Sequence, residues 1–123
     1  MSIPFDTRVL VVDDFESMRR IVGQLLHDMG FRDIALADDG ATALAMLRQD
    51  DFGLLVTDWH MPQMDGIELV RAVRADSRLN PIPILMGSAE ATREQIIAAV
   101  KAGVNDYVVK PFTPQILQAK IGK

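Results

Sequence analysis

The 123-residue sequence has no cysteine and only two histidines, His27 and His60. Disulfides, thiol catalysis and cysteine-held zinc are thereby excluded, as is a multi-histidine metal cluster. Long hydrophobic runs are also missing. The longest apolar stretches are far too short to span a bilayer, and no charged segment followed by a long apolar one opens the chain. The expectation is a soluble, cytoplasmic protein with no membrane partner. Positive charge is scarce too, with 13 Lys and Arg against 17 Asp and Glu and a net charge of −4. Phosphate backbones need a basic face. The one adjacent basic pair, Arg19-Arg20, stands among acidic neighbours, so no direct nucleic-acid partner is expected. There is no G-x-x-x-x-G-K-[ST] loop to cradle a nucleotide and no histidine beside a serine-type nucleophile.

What is present is 49% hydrophobic and 24% charged residues, enough for one domain with a substantial core. Residues 1–123 read as a single unit with no linker or internal repeat. Five apolar runs alternate with five segments of helical spacing. The strands are read at 9–13 (VLVVD), 33–37 (DIALA, the weakest), 53–58 (GLLVTD), 81–88 (PIPILMGS) and 106–110 (DYVVK). After the first strand, Met18, Ile21, Val22, Leu25, Leu26 and Met29 recur at helical spacing, and Gly30 stops them. Leu44 and Leu47, then Ile67, Val70 and Val73, mark the next two helices. Thr92 and Gln95 read as a capping box ahead of a helix ended by Gly103. Thr113 followed by Pro114 opens a last helix of about ten residues, expected to run to Lys123. Such alternation predicts an α/β doubly wound fold, a five-stranded parallel sheet with helices on both faces. Ligands of such sheets bind beyond the carboxyl ends of the strands, where the winding reverses. For the order 2-1-3-4-5 that place lies between strands 1 and 3.

Three carboxylates converge there: Asp13 and Asp14 after the first strand and Asp58 at the end of the third. Asp38-Asp39 is a useful control, an acidic pair followed by Gly40 at an edge strand, where turn and helix-cap chemistry suffices. Asp14 could likewise cap the helix beginning near Glu16. Three clustered carboxylates repel one another, and a hard divalent cation relieves that. Mg²⁺ (with Mn²⁺ as the substitute) takes one or two carboxylates, keeps waters and shares its other positions with phosphate oxygens. Lys110 and Ser88, at the ends of the fifth and fourth strands, could hold phosphoryl oxygens. Their bland readings are a strand-end lysine and a helix cap. Asp58, single and strand-terminal, is the best nucleophile toward phosphorus, giving an acyl phosphate, with catalysis by positioning and charge neutralisation.

VVDD, TDWHMPQMDG, Ser88-Ala-Glu and Lys110-Pro111-Phe112, in that order and at these strand ends, resemble the receiver domains of two-component response regulators, over nearly the whole chain. VLVVDDFESMRRIV, REQIIAAVKAG and YVVKPFT bring it nearest to the chemotaxis (CheY-like) branch. The resemblance implies the flavodoxin-like strand order 2-1-3-4-5, which is that branch's own. It implies that Asp58 takes a phosphoryl group from a histidine kinase, and that Asp13, Asp14, Asp58 and the His60 backbone carbonyl surround Mg²⁺. Ser88 becomes the switching hydroxyl, Lys110 a phosphoryl ligand and Lys110-Pro111 a cis peptide. Tyr107 becomes the aromatic that moves inward on activation. The output surface becomes the fourth helix, fifth strand and last helix, with Ile96 and Tyr107. The partners it implies are the kinase, an output protein such as a flagellar motor switch protein, and a phosphatase. Such a protein is a phosphoacceptor, catalysing only its own phosphorylation and dephosphorylation.

The chain departs from the family pattern at His60, where asparagine is usual, at Gly87, where an apolar residue is usual, and in its short last helix. Competing readings are a receiver of another pathway (a phosphate sink or the input domain of a transcription factor) and, more remotely, a Mg²⁺-dependent aspartyl-phosphate hydrolase. The latter expects an acid two residues after the nucleophile, where His60 stands. A flavin mononucleotide carrier would need a hydroxyl- and glycine-rich loop where DDFES stands. Trp59 reads as a loop aromatic beside the crevice, and Tyr107 without the resemblance as a half-buried strand residue.

Overall fold

The computed structural model describes residues 1–122. In chain order the elements are β1 (Val9–Val12), α1 (Glu16–Met29), β2 (Ile34–Ala37), α2 (Gly40–Gln49), β3 (Leu54–Asp58), α3 (Gly66–Ala75), β4 (Ile84–Ser88), α4 (Arg93–Ala102), β5 (Asp106–Val109) and α5 (Pro114–Ile121). The sheet is wholly parallel in the order β2-β1-β3-β4-β5, as expected.

Period-two alternation sorts the strand side chains into two cores. Val9, Val11, Leu54, Val56, Leu85 and Val108 pack with Val22 and Leu26 of α1 and Leu117 and Ile121 of α5. Leu10, Val12, Leu55, Ile84, Met86 and Tyr107 pack with residues of α2, α3 and α4, among them Leu47, Val70, Val73 and Ala99. The central strands are buried on both faces, which is why they read as unbroken apolar runs. The N-terminus closes on α5, with the Ile3 N–H donating to Ile121 O at 3.1 Å. Among the described residues, no helix is long and apolar enough to cross a membrane.

The helix ends follow local chemistry. Asp39 caps α2 by accepting from the Thr42 N–H at 2.7 Å, so the control pair is ordinary cap chemistry. The expected Thr92/Gln95 capping box is formed, and Gly103 ends α4 in the left-handed region. Thr113 caps α5, with Pro114 in its first turn. An unforeseen capping box joins Asp65 and Glu68 at the start of α3.

Several element bounds differ from expectation: the first strand ends at Val12, the second begins at Ile34 and the third at Leu54. The fourth strand begins at Ile84 rather than at residue 81, because Pro81 and Pro83 have no N–H to give a ladder. The fifth ends at Val109, leaving Lys110 as the first residue beyond it. The last helix spans Pro114–Ile121, and the expected end at Lys123 lies outside the described residues.

Candidate functional site

Asp13 continues the line of β1: its N–H donates to Ala37 O at 3.2 Å. Its side chain then turns inward and is 2% exposed. Asp13 Oδ1 accepts from the Phe15 N–H at 3.0 Å, and the Asp13 carbonyl accepts from Arg19 Nη1 at 2.8 Å. Asp14 does not cap α1 as its bland reading held. The N-cap position is Phe15, with no side-chain cap. Instead Asp14 Oδ1 is buried without a hydrogen-bond partner among the described residues. A buried, unpartnered carboxylate oxygen is costly, so it marks a place built for a ligand.

Asp58 ends β3 and is itself buried. Its Oδ1 accepts from the Trp59 N–H at 2.9 Å and lies 3.0 Å from Lys110 Nζ. The same ammonium donates to Asp13 Oδ2 at 2.6 Å. One carboxylate oxygen from each of Asp13, Asp14 and Asp58 lies within 4.8 Å of the others, so the switch-point convergence expected from topology is realised. Burial pushes the Asp58 carboxyl above its ordinary value, Lys110 opposes that shift, and the Asp13 charge adds to it. The all-oxygen donor set fits a hard divalent cation.

The local backbone is shaped by Gly66. A Cβ there would run into the Asp58 carbonyl oxygen and come within 2.9 Å of Trp59 Cα. The Gly66 N–H donates to Trp59 O at 2.7 Å. The loop of residues 59–65 therefore folds back tightly and starts α3 against the end of β3. Within it, Gln63 takes a positive φ of 67°, and exposed His60 stacks on Trp59 with centroids 5.7 Å apart. The Lys110-Pro111 peptide is cis.

Ser88 is fully buried and belongs to the opposite face of the sheet from Asp58, the face of Ile84 and Met86. It caps no helix. Its Oγ accepts from the Glu90 N–H at 3.2 Å, and the Glu90 carbonyl accepts from the Tyr107 hydroxyl at 2.7 Å. Tyr107 is only 9% exposed and meets the Trp59 ring edge-on at 6.3 Å. In this conformation Tyr107 is thus a core residue, adding little to any outer surface. Ile96 is exposed on α4. On the three elements expected to form the output surface, Val100 on α4, Val109 on β5 and Ile116 on α5 are exposed too, residues not singled out from the sequence. Apolar residues outside the core stripe of each helix were the available sign.

Above Asp58 and Lys110 opens a cleft of about 480 Å³, lined also by Phe15, Met18, His60 and Pro111. From the sequence Met18 read only as a core position of the first helix, and Phe15 was not singled out.

The response regulator receiver domain model matches residues 9–122. Chemotaxis protein CheY of Pseudomonas aeruginosa is 61% identical, over 94% of this chain and 94% of its own. Among solved structures, chemotaxis protein CheY4 of Vibrio cholerae superposes with a TM-score of 0.87 at 36% identity, covering 94% of this chain and 95% of its own. The receiver domain of a sensor histidine kinase from Pseudomonas aeruginosa, with a magnesium ion coordinated in its active site cleft, gives 0.85 at 27% identity over 94% and 93%. The chain therefore belongs to the response regulator receiver domain family, as a phosphorylation-activated signalling switch rather than an enzyme with an external substrate.

Proposed function

We propose that Asp58 is the phosphoacceptor and that the chain, as a single receiver domain over residues 1–123, serves chemotaxis from the cytoplasm. The observation that carries this reading is the Lys110 ammonium spanning Asp13 and Asp58, at 2.6 and 3.0 Å, beside the unpartnered Asp14 oxygen. Among the described residues, the contacts made by the Asp58 carboxylate to Trp59 and Lys110 fall on Oδ1, which leaves Oδ2 for attack. An Asp58 oxygen attacks phosphorus of a kinase phosphohistidine, the P–N bond breaks, and the histidine nitrogen takes a proton. Asp13, Asp14, Asp58 and the His60 carbonyl would hold Mg²⁺, with Mn²⁺ as a substitute. That ion supplies neutralisation of charge on the transferring group. Lys110 neutralises a second oxygen and holds the Asp58 carboxylate in place. Ser88 is the switching hydroxyl.

The output follows from the same contacts. A new charge of up to about two units at Asp58 draws Ser88 toward it and alters the Glu90–Tyr107 contact. The apolar surface of α4, β5 and α5 around Ile96 changes in step. A patch of this kind suits a protein partner, and the likeness to chemotaxis proteins supports a flagellar motor switch protein as that partner. A phosphatase would shorten the signal. His60, exposed at the cleft, is placed to tune the acyl phosphate's own hydrolysis.

Intact mass after incubation with acetyl phosphate and Mg²⁺ tests the reading. The expected result is one alkali-labile phosphoryl group, lost when EDTA replaces Mg²⁺ and absent from Asp58→Asn. No gain by the wild-type chain would overturn the phosphoacceptor assignment.

A further inference from the structure

Gly23 sits in the middle of α1 without a local reason. A glycine inside a helix costs about 1 kcal/mol relative to alanine, and neither its conformation nor its packing requires one. A Cβ there would meet only Leu36 Cδ2, at 3.4 Å. What glycine does at this position is leave space: a groove of about 460 Å³ opens between α1 and the edge strand β2. Gly23, Ile34 and Leu36 line it, and Leu36 is 43% exposed.

Over that apolar floor stand Arg20, His27 and Arg32. Arg20 and His27 lie on one stripe of α1 with Gly23 and Gln24, and Arg32 comes from the turn before β2. In a chain of net charge −4 this is a local basic patch that sequence order conceals. The acids around it are engaged elsewhere or weakly held. Glu16 reaches Arg20 only at 3.7 Å with both side chains exposed, an ion pair readily exchanged. Asp28 accepts from Gln24 at 2.8 Å and lies 3.9 Å from His27. Asp33 takes Arg8 at 3.3 Å. Arg32 has no ion pair among the described residues.

We propose that this groove docks an acidic segment of a protein partner, distinct from the output surface. An apolar side chain of that segment fills the space over Gly23, and its carboxylates meet Arg20, Arg32 and His27. An apolar floor beneath basic side chains suits a peptide with alternating acidic and apolar residues better than a phosphodiester backbone, which has nothing to place over Leu36.

Amide chemical shifts of the isotope-labelled full chain, titrated with a Glu-Glu-Leu repeat peptide, test this. Saturable shifts confined to the second half of α1 and to β2 are expected, with a Gln-Gln-Leu counterpart binding more weakly. Reversing both arginines (Arg20→Glu with Arg32→Glu) should weaken binding about tenfold or more. Gly23→Met should abolish it by filling the groove, while labelling by acetyl phosphate stays unchanged in all variants. Absence of shifts at the groove, equal binding of the glutamine peptide, or undiminished binding by Gly23→Met would overturn the proposal. So would the same amides moving at lower concentration of duplex DNA or phosphatidylglycerol vesicles.

Discussion

Replacing Asp58 by asparagine should stabilise the metal-free protein at neutral pH, although it removes a residue from an ion pair. At an effective dielectric of about 20, attraction between Asp58 and Lys110 at 3.0 Å amounts to about 5.5 kcal/mol. Asp13 and Asp14 each offer an oxygen within 4.8 Å, and each repulsion amounts to about 3.5 kcal/mol on the same footing. The charges nearly cancel, so burial decides, and it raises the Asp58 carboxyl above its ordinary value. Asparagine keeps the oxygen that accepts from Trp59 and Lys110, and Lys110 keeps Asp13 at 2.6 Å. A gain on the order of 1–2 kcal/mol is expected, or roughly 4–8 °C in a domain of this size.

The pH dependence fixes the cause. A carboxyl raised in the folded state penalises folding above its folded pKa, and the penalty is gone below its unfolded value of 3.8. The advantage of Asp58→Asn should therefore shrink as pH falls through the folded pKa and disappear near 3.8. Mg²⁺ reverses the order, because a ligand at a hundred times its Kd adds about 2.7 kcal/mol to the wild type and less to the variant. Urea melts in EDTA across this pH range, then in Mg²⁺, measure both effects. A less stable variant at neutral pH, or an advantage equally large in acid, would refute the electrostatic account.

Arg74→Met should cost about 3 kcal/mol, read by urea melts, because Arg74 donates to the carbonyls of Gly103 at 2.9 Å and Ile82 at 2.7 Å and to Asn105 Oδ1 at 3.0 Å, pinning α3 to the ends of α4 and β4. Gly87→Ala should be neutral or stabilising by up to about 1 kcal/mol, since its Cβ would rest 3.5 Å from Lys110 Cε and 3.6 Å from Val108 Cγ1; a thermal melt decides. Tyr107→Phe should cost about 1 kcal/mol and raise amide exchange around residues 88–92, having lost the bond to Glu90 O. Trp59 emission should change on Mg²⁺ addition in the wild type, because its backbone N–H donates to Asp58 Oδ1 and so ties its position to that carboxylate.

The architecture was legible because helix and strand periods alternate cleanly and several helix ends are punctuated, with Thr92 and Thr113 at starts and Gly30 and Gly103 at stops. Asp13, Asp14, Asp58 and Lys110 were legible because strand ends on a parallel sheet have predictable neighbours. What escaped is what depends on packing across elements. Pro83 sits next to an apolar run, yet the ladder starts only after it. Tyr107 alternates as an inward residue, but its burial comes from Trp59 and the Glu90 carbonyl, which no local pattern encodes. Arg20, His27 and Arg32 are dispersed in sequence and gather only when α1 lies along β2.

The contacts leading from Asp58 form a chain that ends at Ser88, and that chain gives the proposed switch its physical basis. Asp58 holds the Trp59 N–H, the Trp59 ring meets Tyr107, the Tyr107 hydroxyl holds Glu90 O, and the Glu90 N–H holds Ser88 Oγ. In the proposed switch, Ser88 turns toward a phosphoryl group on Asp58 and gives up the Glu90 N–H. The residue it releases carries the acceptor that fixes Tyr107. One or two hydrogen bonds of about 1 kcal/mol each separate the two arrangements, so the unphosphorylated protein should already populate the second at several per cent. A charge-assisted bond of about 1.5–3 kcal/mol at Ser88 would shift that ratio roughly 10- to 150-fold toward the second arrangement. As the proposed phosphoacceptor, the buried carboxylate at the end of β3 would thus be both the chemical site and one anchor of the two-state element it controls.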